Sequence, residues 1–264
     1  MIWNSPMIRP WMLAETNYGR IRTGERCEVA VLPFGAVEPH NLHLPYGTDT
    51  FQVERVAQEA CGRAYDRSAR VLLLPGIPYG TETNLSKFPF AMNLNPSTVA
   101  HIVADLVASL ERSGVRKCLL LNGHGGNDLK WVLRELHLNT QVHLFLCNWY
   151  RVGTDVERDI FDDAGDHAGE METSMGLAHF PEFVELHAAD AGSLATSRFD
   201  AVNRRWVEIT RPWHLLTTNS GAGDPRAATA DKGRVFTEVV VARLADFLVE
   251  LAASPLDTSF PFIK

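Results

Sequence analysis

The sequence predicts an α/β protein of three layers, in which helices cover both faces of a mainly parallel central sheet. Four short apolar runs have the length and composition of strands, namely Val29–Phe34, Val71–Leu74, Lys117–Leu121 and Val142–Cys147. Gly, Pro or Asn bounds each run, and a loop and a helix-like segment follow it. Buried strands that alternate with helices are typical of βαβ units, whose strands run parallel.

Apolar residues at helical spacing predict the helices. The clearest helix follows Asn95-Pro96-Ser97 and ends before Gly114, because apolar side chains recur there every three or four residues. A second helix is expected to begin at Asn127 or Asp128, and a third to run from about 231 to 252. The pattern between about 186 and 224 is irregular, which predicts a small appended element or loops. We expect residues 1–264 to form a single domain.

Composition narrows the classes of function. The chain has 264 residues, 45% of them hydrophobic, which is enough for a sizeable core. A formal charge of -7 argues against nucleic acid as a partner, since binding phosphates requires clustered Lys and Arg. No segment approaches the ~20 apolar residues of a membrane span. We therefore expect a soluble, cytoplasmic protein that acts on a small molecule and binds neither membranes nor nucleic acid.

Residues 38–49 combine imidazoles and carboxylates directly after the first predicted strand. Glu38 and His40 are two residues apart, so in an extended segment their side chains leave the backbone on the same side. Asp49 lies beyond a Pro45–Gly47 turn, which can fold the chain back toward them. Imidazole nitrogen and carboxylate oxygen are donors for zinc, manganese and iron. The alternative is a surface loop with incidental charges.

A glycine-rich loop surrounds His124 after the third predicted strand, in the segment Asn122-Gly123-His124-Gly125-Gly126-Asn127. Such a loop at the start of a helix either cradles a phosphate or directs the imidazole into a pocket. The segment lacks the Lys-Ser/Thr of a P-loop and the GxGxxG spacing. In parallel sheets, ligands bind where such loops follow the carboxyl ends of strands.

The last cluster is His167-Ala168-Gly169-Glu170-Met171-Glu172-Thr173-Ser174. If it opens a helix, His167 and Glu170 share a face, while Glu172 points elsewhere by roughly two hundred degrees of rotation. One carboxylate is then a candidate ligand and the other a positioning or capping group. A helix start rich in acidic residues is the alternative, but it does not account for His167.

Taken together, these motifs resemble the signature of the creatininase (creatinine amidohydrolase) family over about residues 25 to 240. The resemblance implies an αβα sandwich and two divalent ions, which are Zn, Mn or Fe. One ion would be held by Glu38, Asp49 and His124, and the other by His40, Asp49 and Glu170, with Asp49 bridging. Creatininase itself takes the last glutamate from just after the glycine-loop histidine, where this chain has Gly126. The remaining expected roles are catalytic: His167 transfers a proton, and Glu172 orients His167 or a helix end.

The resemblance also implies a reaction, in which metal-bound hydroxide hydrolyses a C–N bond of a small, cyclic amide or formamide. One alternative keeps the metals and opens a cyclic ketone or lactone derived from a sugar or inositol. An alternative of another class is a phosphate- or nucleotide-binding module. The loop around Pro39, Asn41 and Leu42 departs from the family pattern, which argues against creatinine as the substrate. Family resemblance further implies a homohexamer.

Overall fold

The computed structural model describes residues 8–24 and 26–263 and contains a parallel sheet at its centre. The strands are β1 (Val29–Phe34), β2 (Val71–Leu73), β3 (Lys117–Asn122) and β4 (His143–Asn148), in the order β2-β1-β3-β4. All three strand pairs are parallel. The predicted fold class is confirmed, and each predicted strand is present to within one residue at either end.

Helices cover both faces of this sheet. They are α1 (Tyr18–Thr23), α2 (Thr48–Asp66), α3 (Pro96–Arg112), α4 (Lys130–Leu136), α5 (Glu157–Ile160), α6 (Glu170–His179), α7 (Asp200–Asn203), α8 (Trp213–Leu216) and α9 (Ala230–Ala253). One apolar core lies between the sheet and helices α2, α6 and α9, and a second lies between the sheet and helices α3 and α4. Within the described ranges, no helix combines the length and apolar composition that a membrane span requires.

Strand β1 contains Pro33 although the strand lies between β2 and β3 in the sheet. The carbonyl oxygens of Val31 and Pro33 accept hydrogen bonds from Leu74 and Ile77, so alternate residues of β1 face the β2 side. The missing N–H of Pro33 is therefore directed to that side, where β2 has already ended at Leu73. The proline thus removes no hydrogen bond from the sheet and leaves the β3 side intact.

Helix α2 is the long element for which the sequence analysis gave no bounds. Its buried residues are Thr48, Asp49, Gln52, Val53, Val56, Ala57, Ala60, Cys61 and Ala64, and the apolar ones follow helical spacing. The apolar stripe was therefore present in the sequence. The sequence analysis grouped Asp49 with the loop residues that precede it. In the structure, Asp49 lies in the first turn of helix α2.

Lys117 anchors the carboxyl end of helix α9 to the sheet. Its side chain is buried, and Nζ donates hydrogen bonds to the carbonyl oxygens of Leu251 at 2.7 Å and Ser254 at 2.6 Å. Carbonyl groups at the end of a helix have no partner within the helix, and a cation there also interacts favourably with the negative end of the helix dipole. Burial lowers the pKa of Lys117 from its ordinary value. The lysine therefore compensates a helix terminus that is otherwise unsatisfied.

We predict that Lys117→Met lowers the free energy of unfolding by about 2–3 kcal/mol, because hydrogen bonds from a charged donor are lost and the carbonyls stay buried. Urea denaturation of the purified protein measures this change. Lys130→Met on the exposed side of α4 is the matched control and should change stability by less than about 0.5 kcal/mol. Equal effects of the two substitutions would contradict the anchoring role.

Candidate metal centre

The carboxylate of Asp49 is fixed where the ends of two strands meet the start of α2. Gly35 follows β1 and lies so close to α2 that a Cβ there would be 2.7 Å from the Thr50 Cα. Gly123 follows β3, and a Cβ there would be 2.9 Å from the backbone oxygen of Asp49. Glycine permits both close approaches. The first turn of the helix also favours a negative side chain.

Asp49 lies between two imidazoles, as the sequence analysis expected for a bridging ligand. Its Oδ1 is 3.1 Å from His40 Nε2, and its Oδ2 is 3.0 Å from His124 Nδ1. The Glu38 Oε1 atom is 2.9 Å from the same His124 nitrogen. All four side chains are buried. The structure therefore brings together Glu38, His40, Asp49 and His124, which come from two loops and a helix start.

Backbone carbonyls determine which nitrogen of each ring faces the cluster. His40 Nδ1 donates to the Glu38 backbone oxygen at 3.0 Å, and His124 Nε2 donates to the Thr81 oxygen at 3.1 Å. A carbonyl only accepts, so these nitrogens carry the protons and the other nitrogens face Asp49. Burial alone would lower the pKa of His40, but the neighbouring Asp49 carboxylate raises that pKa to about 10.

A proton or a cation must lie between each imidazole and Asp49, because a neutral imidazole nitrogen and a carboxylate oxygen would otherwise face each other as acceptors. The raised pKa values of His40 and His124 place a proton there in the metal-free protein, and a bound cation would take the position of that proton. Buried carboxylate oxygens without hydrogen bonds include Glu38 Oε2 and Asp49 Oδ2. Two donors on one zinc ion, each at ~2.0–2.2 Å, are separated by roughly 3–3.5 Å. The observed spacings of 2.9–3.1 Å fit a metal ion between the donors.

The structure does not bring Glu170 into this cluster. Its carboxylate is buried at the start of α6, where Oε2 accepts hydrogen bonds from the backbone N–H groups of Asp162 at 2.8 Å and Asp163 at 3.0 Å. The other oxygen forms an ion pair with Lys232 of α9. All the contacts of this carboxylate lie within the fold, so the geometry does not support the expected ligand role of Glu170.

The carboxylate of Glu172 lies at the cluster instead. Its Oε2 is 3.9 Å from His40 Nε2 and accepts the Ala168 N–H at 2.6 Å. His40, Asp49 and Glu172 form one group whose potential ligand atoms all lie within 4.8 Å of one another. Glu170 and Glu172 do point in different directions, as expected from helical geometry. The helix begins only at Glu170, however, so His167 precedes it and shares no helical face with Glu170.

His167 lies against the cluster on a short antiparallel bridge to Ala222. Its Nε2 donates to the Pro39 carbonyl oxygen at 2.8 Å, which leaves Nδ1 3.6 Å from Glu38 Oε1. The ring packs against that of His40, tilted by 34° with centroids 4.2 Å apart, and it meets Trp213 in an edge-to-face contact. The imidazole is therefore fixed in both position and tautomer, with one nitrogen directed toward the carboxylates.

Glu82 is a residue of the cluster that the sequence analysis missed. Its side chain is fully buried, and Oε1 lies 3.1 Å from His124 Nε2. Burial and the neighbouring Glu38 carboxylate raise the pKa of Glu82 to about 10. The available signal was its position, because residues 74–82 follow the second predicted strand and therefore lie at the same edge of the sheet as the other clusters.

A cavity of about 320 Å³ opens onto the cluster. Glu38, Asp49, His124, His167 and Glu172 all contribute to its wall. Tyr150 and Trp213 supply aromatic surface, and Arg151 and Arg211 add positive charge. Arg211 and Trp213 come from the irregular region between 186 and 224, so a loop and the start of helix α8 form part of the cavity wall.

The family model of creatininase, described as creatinine amidohydrolase, matches residues 14–248. The chain belongs to the creatininase family. The resemblance inferred from the motifs is confirmed, and the chain is a hydrolase of this family. A crystal structure from Bacteroides fragilis NCTC 9343, described as a candidate creatinine amidohydrolase, is 34% identical with a TM-score of 0.88 and covers 95% of this chain and 100% of its own.

Relatives with assigned activities differ in what they cleave. Creatinine amidohydrolase of Pseudomonas putida is 28% identical over 84% of this chain and 89% of its own. The mycofactocin precursor peptide peptidase of Mycobacterium ulcerans is 28% identical over 81% of this chain and 84% of its own. The 3-dehydro-scyllo-inosose hydrolase of Thermotoga maritima is 27% identical over 61% of this chain and 53% of its own. Membership in the family therefore does not specify a substrate.

We predict that Glu170 acts through Lys232 to hold α6 against α9. Glu170→Gln and Lys232→Met should each lower the free energy of unfolding by about 1.5–3 kcal/mol, because a buried charged hydrogen bond is lost. The double variant should be little less stable than either single variant, since both remove the same interaction. Chemical denaturation of the three variants measures the coupling, and strictly additive effects would contradict it.

Proposed function

We propose that this protein is a dinuclear metal-dependent hydrolase that cleaves a C–N bond of a small amide or formamide. The observation that carries the proposal is the pair of donor sets on either side of Asp49. Its two carboxylate oxygens face different imidazoles, at 3.1 Å and 3.0 Å. A single carboxylate in this position is suited to two neighbouring ions.

The proposed ligands follow from the geometry on each side of Asp49. Glu38, Asp49 and His124 would hold one ion, and His40, Asp49 and Glu172 would hold the other. Glu172 thus takes the role that the sequence analysis gave to Glu170. A mixed nitrogen and oxygen donor set suits Zn, Mn or Fe. Bound ions would supply Lewis acidity, which activates water and polarises the bond that is cleaved.

His167 is the proposed proton donor to the leaving nitrogen. Its Nε2 proton is held by the Pro39 carbonyl, so Nδ1 is the atom that exchanges protons. Glu38 Oε1 lies 3.6 Å from Nδ1, and the water consumed in the hydrolysis supplies the proton that Nδ1 passes to the leaving nitrogen. His167 forms part of the cavity wall, so the donor and the substrate share one enclosed space. A positioned histidine of this kind typically contributes about 10²–10⁴-fold to a rate.

The cavity favours a small, flat and polar substrate. Its volume of about 320 Å³ is near the lower end of the usual range for small-molecule pockets. Tyr150 and Trp213 offer flat apolar surfaces, and the ligand residues offer the polar edge. Creatinine is a small cyclic amide, and the P. putida relative is named for its hydrolysis. The changed loop residues Pro39, Asn41 and Leu42 still argue for a different member of that chemical class.

Opening of a cyclic ketone is the second candidate reaction. The T. maritima relative, which is named as an inosose hydrolase, supports it. The same residues could act on either substrate, because a ketone carbonyl and an amide carbonyl must both be polarised and attacked by an activated water. A phosphate-binding module is disfavoured, because the Glu38 and Asp49 carboxylates lie against the glycine-loop histidine and would repel an anion.

Family membership also underlies our expectations about assembly and location. We propose a homohexamer in the cytoplasm, with a small molecule as the substrate. Light scattering coupled to size-exclusion chromatography measures the number of protomers.

We predict that Asp49→Asn removes both metal ions and abolishes activity, because both donor sets lose their shared oxygen ligand. Metal analysis after purification without chelators should give about two equivalents for the native protein and fewer than about 0.5 for the variant. Asp66→Asn at the exposed end of the same helix is the matched control and should leave the metal content unchanged. Less than about one equivalent in the native protein would refute the proposed function.

We predict that His167→Gln lowers kcat by about 10²–10⁴-fold and leaves the metal content unchanged. Activity is first located by screening cyclic amides, formamides, lactones and cyclic ketones with metal-loaded protein. Loss of metal from the variant would mean that His167 is a ligand rather than a proton donor. Hydrolysis of ketones or lactones alone would favour the second candidate reaction while leaving the site intact.

A further inference from the structure

We infer that Glu82 is an additional carboxylate ligand for the ion on the His124 side of the centre. Glu82 lies outside the ligand set drawn from the family motifs. It adds a third carboxylate beside Glu38 and Asp49, and therefore an oxygen-rich donor set for a hard divalent cation. The inference rests on the proposed function, since it concerns one of the two metal positions.

The burial of Glu82 requires a positive partner. Its side chain is fully buried, and neither carboxylate oxygen has a hydrogen-bond partner among the described residues, because the His124 Nε2 proton, although only 3.1 Å from Oε1, is directed to the Thr81 carbonyl instead. An unpaired buried carboxylate is strongly unfavourable unless a cation or a proton neutralises it. The oxygens point toward His124 and Glu38, and the donor atoms of these three residues lie within 4.8 Å of one another. Glu38 Oε2 lacks a hydrogen bond as well.

The backbone around Glu82 holds this carboxylate in place. The Glu82 N–H donates to the side-chain oxygen of Asn93 at 2.8 Å, and the preceding Thr81 N–H donates to that of Asn127 at 2.9 Å. Asn127 belongs to the glycine loop that also carries His124. The two loops are thus joined beside the proposed ion, and a donor that is fixed before binding loses little entropy when an ion binds.

Charge balance provides an independent argument. Glu38, Asp49 and Glu172 bring three negative charges to two divalent ions, and Glu82 brings a fourth once a bound cation displaces its proton. Within the described chain, no Lys or Arg forms an ion pair with any of these four carboxylates. Two divalent cations therefore neutralise the four carboxylates in full, and the ion on the His124 side receives the larger share of the oxygen donors.

Metal selectivity distinguishes a ligand from a residue that only orients His124. We expect Glu82→Gln to weaken Mn²⁺ binding by more than about 100-fold. Substituting a residue that only hydrogen-bonds to a metal ligand usually weakens binding by about 10–100-fold. Zn²⁺, which accepts fewer donors, should be weakened at least about tenfold less than Mn²⁺. Calorimetric titration of the metal-free full-length protein with MnCl₂ and with ZnCl₂ measures both affinities.

Thermal melting controls for folding. The metal-free Glu82→Gln variant should melt no lower than the metal-free native protein, because an unpartnered carboxylate has been replaced by a neutral side chain of the same shape. With Mn²⁺ it should melt lower than the native protein, because less binding energy is available. Glu157→Gln, in the wall of the same cavity, is the matched control and should leave both metal affinities unchanged.

The outcomes separate the two proposals. Equal losses for Mn²⁺ and Zn²⁺ would mean that Glu82 only orients His124, and unchanged affinities would mean that it contributes nothing to the centre. A lower melting temperature in the absence of metal would indicate a packing role. Each of these results overturns the inference about Glu82. If instead the native protein binds neither metal tightly, the proposed function itself fails.

Discussion

The structure depends on one unfavourable arrangement, which is the convergence of buried carboxylates on a small number of imidazoles. Asp49 is at the centre of it, 3.1 Å from one imidazole and 3.0 Å from another. At an effective dielectric constant of 20, two like charges ~4 Å apart repel by about 4 kcal/mol. Protons or metal ions must offset this repulsion, so the electrostatics of the fold and of the site cannot be separated.

The parallel sheet explains why these side chains meet. Every strand of the sheet ends at the same edge, so the loops that follow β1, β2 and β3 converge although they are far apart in sequence. Glu38 and His40 follow β1, Glu82 follows β2, and His124 follows β3. Helix α2 then inserts Asp49 into this edge, and the glycines beside it make room for the helix backbone. The site is thus a direct consequence of strand order.

Much of this could be predicted from sequence, because local patterns carry it. Continuous apolar runs identified the strands, and spaced motifs identified Glu38, His40, Asp49 and His124 as neighbours. The choice between Glu170 and Glu172 could not be made in this way. Both acids lie in the first turn of α6, and the direction of each depends on contacts outside that turn. Lys232 and the N–H groups of Asp162 and Asp163 bind Glu170, and none of these lies in the motif.

Glu82 was missed for a related reason. It stands alone in a polar loop, where an acidic residue is usually exposed, and only the tertiary structure encloses it. Its burial depends on the glycine loop lying against the 74–82 segment. Asn127 joins the two through a hydrogen bond from the Thr81 N–H, and it also donates to the Gly35 carbonyl oxygen. Sequence patterns report what lies on one element, whereas the protonation and metal binding of a carboxylate depend on what other elements bring to it.

The two glutamates of α6 show how structural and functional acids differ in this protein. Glu170 has a cation supplied by the chain and two N–H donors, so its charge is fully compensated within the fold. Among the described residues, Glu38, Asp49, Glu82 and Glu172 form no ion pair with a lysine or arginine, and several of their oxygens have no hydrogen-bond partner. A fold that encloses four acids without an ion pair to a lysine or arginine of the described chain is stabilised by whatever cation it binds, because that binding energy is available only to the folded chain. Metal binding and the assembly of the strand-end loops are therefore coupled, and Asp49 carries the coupling because both donor sets include it.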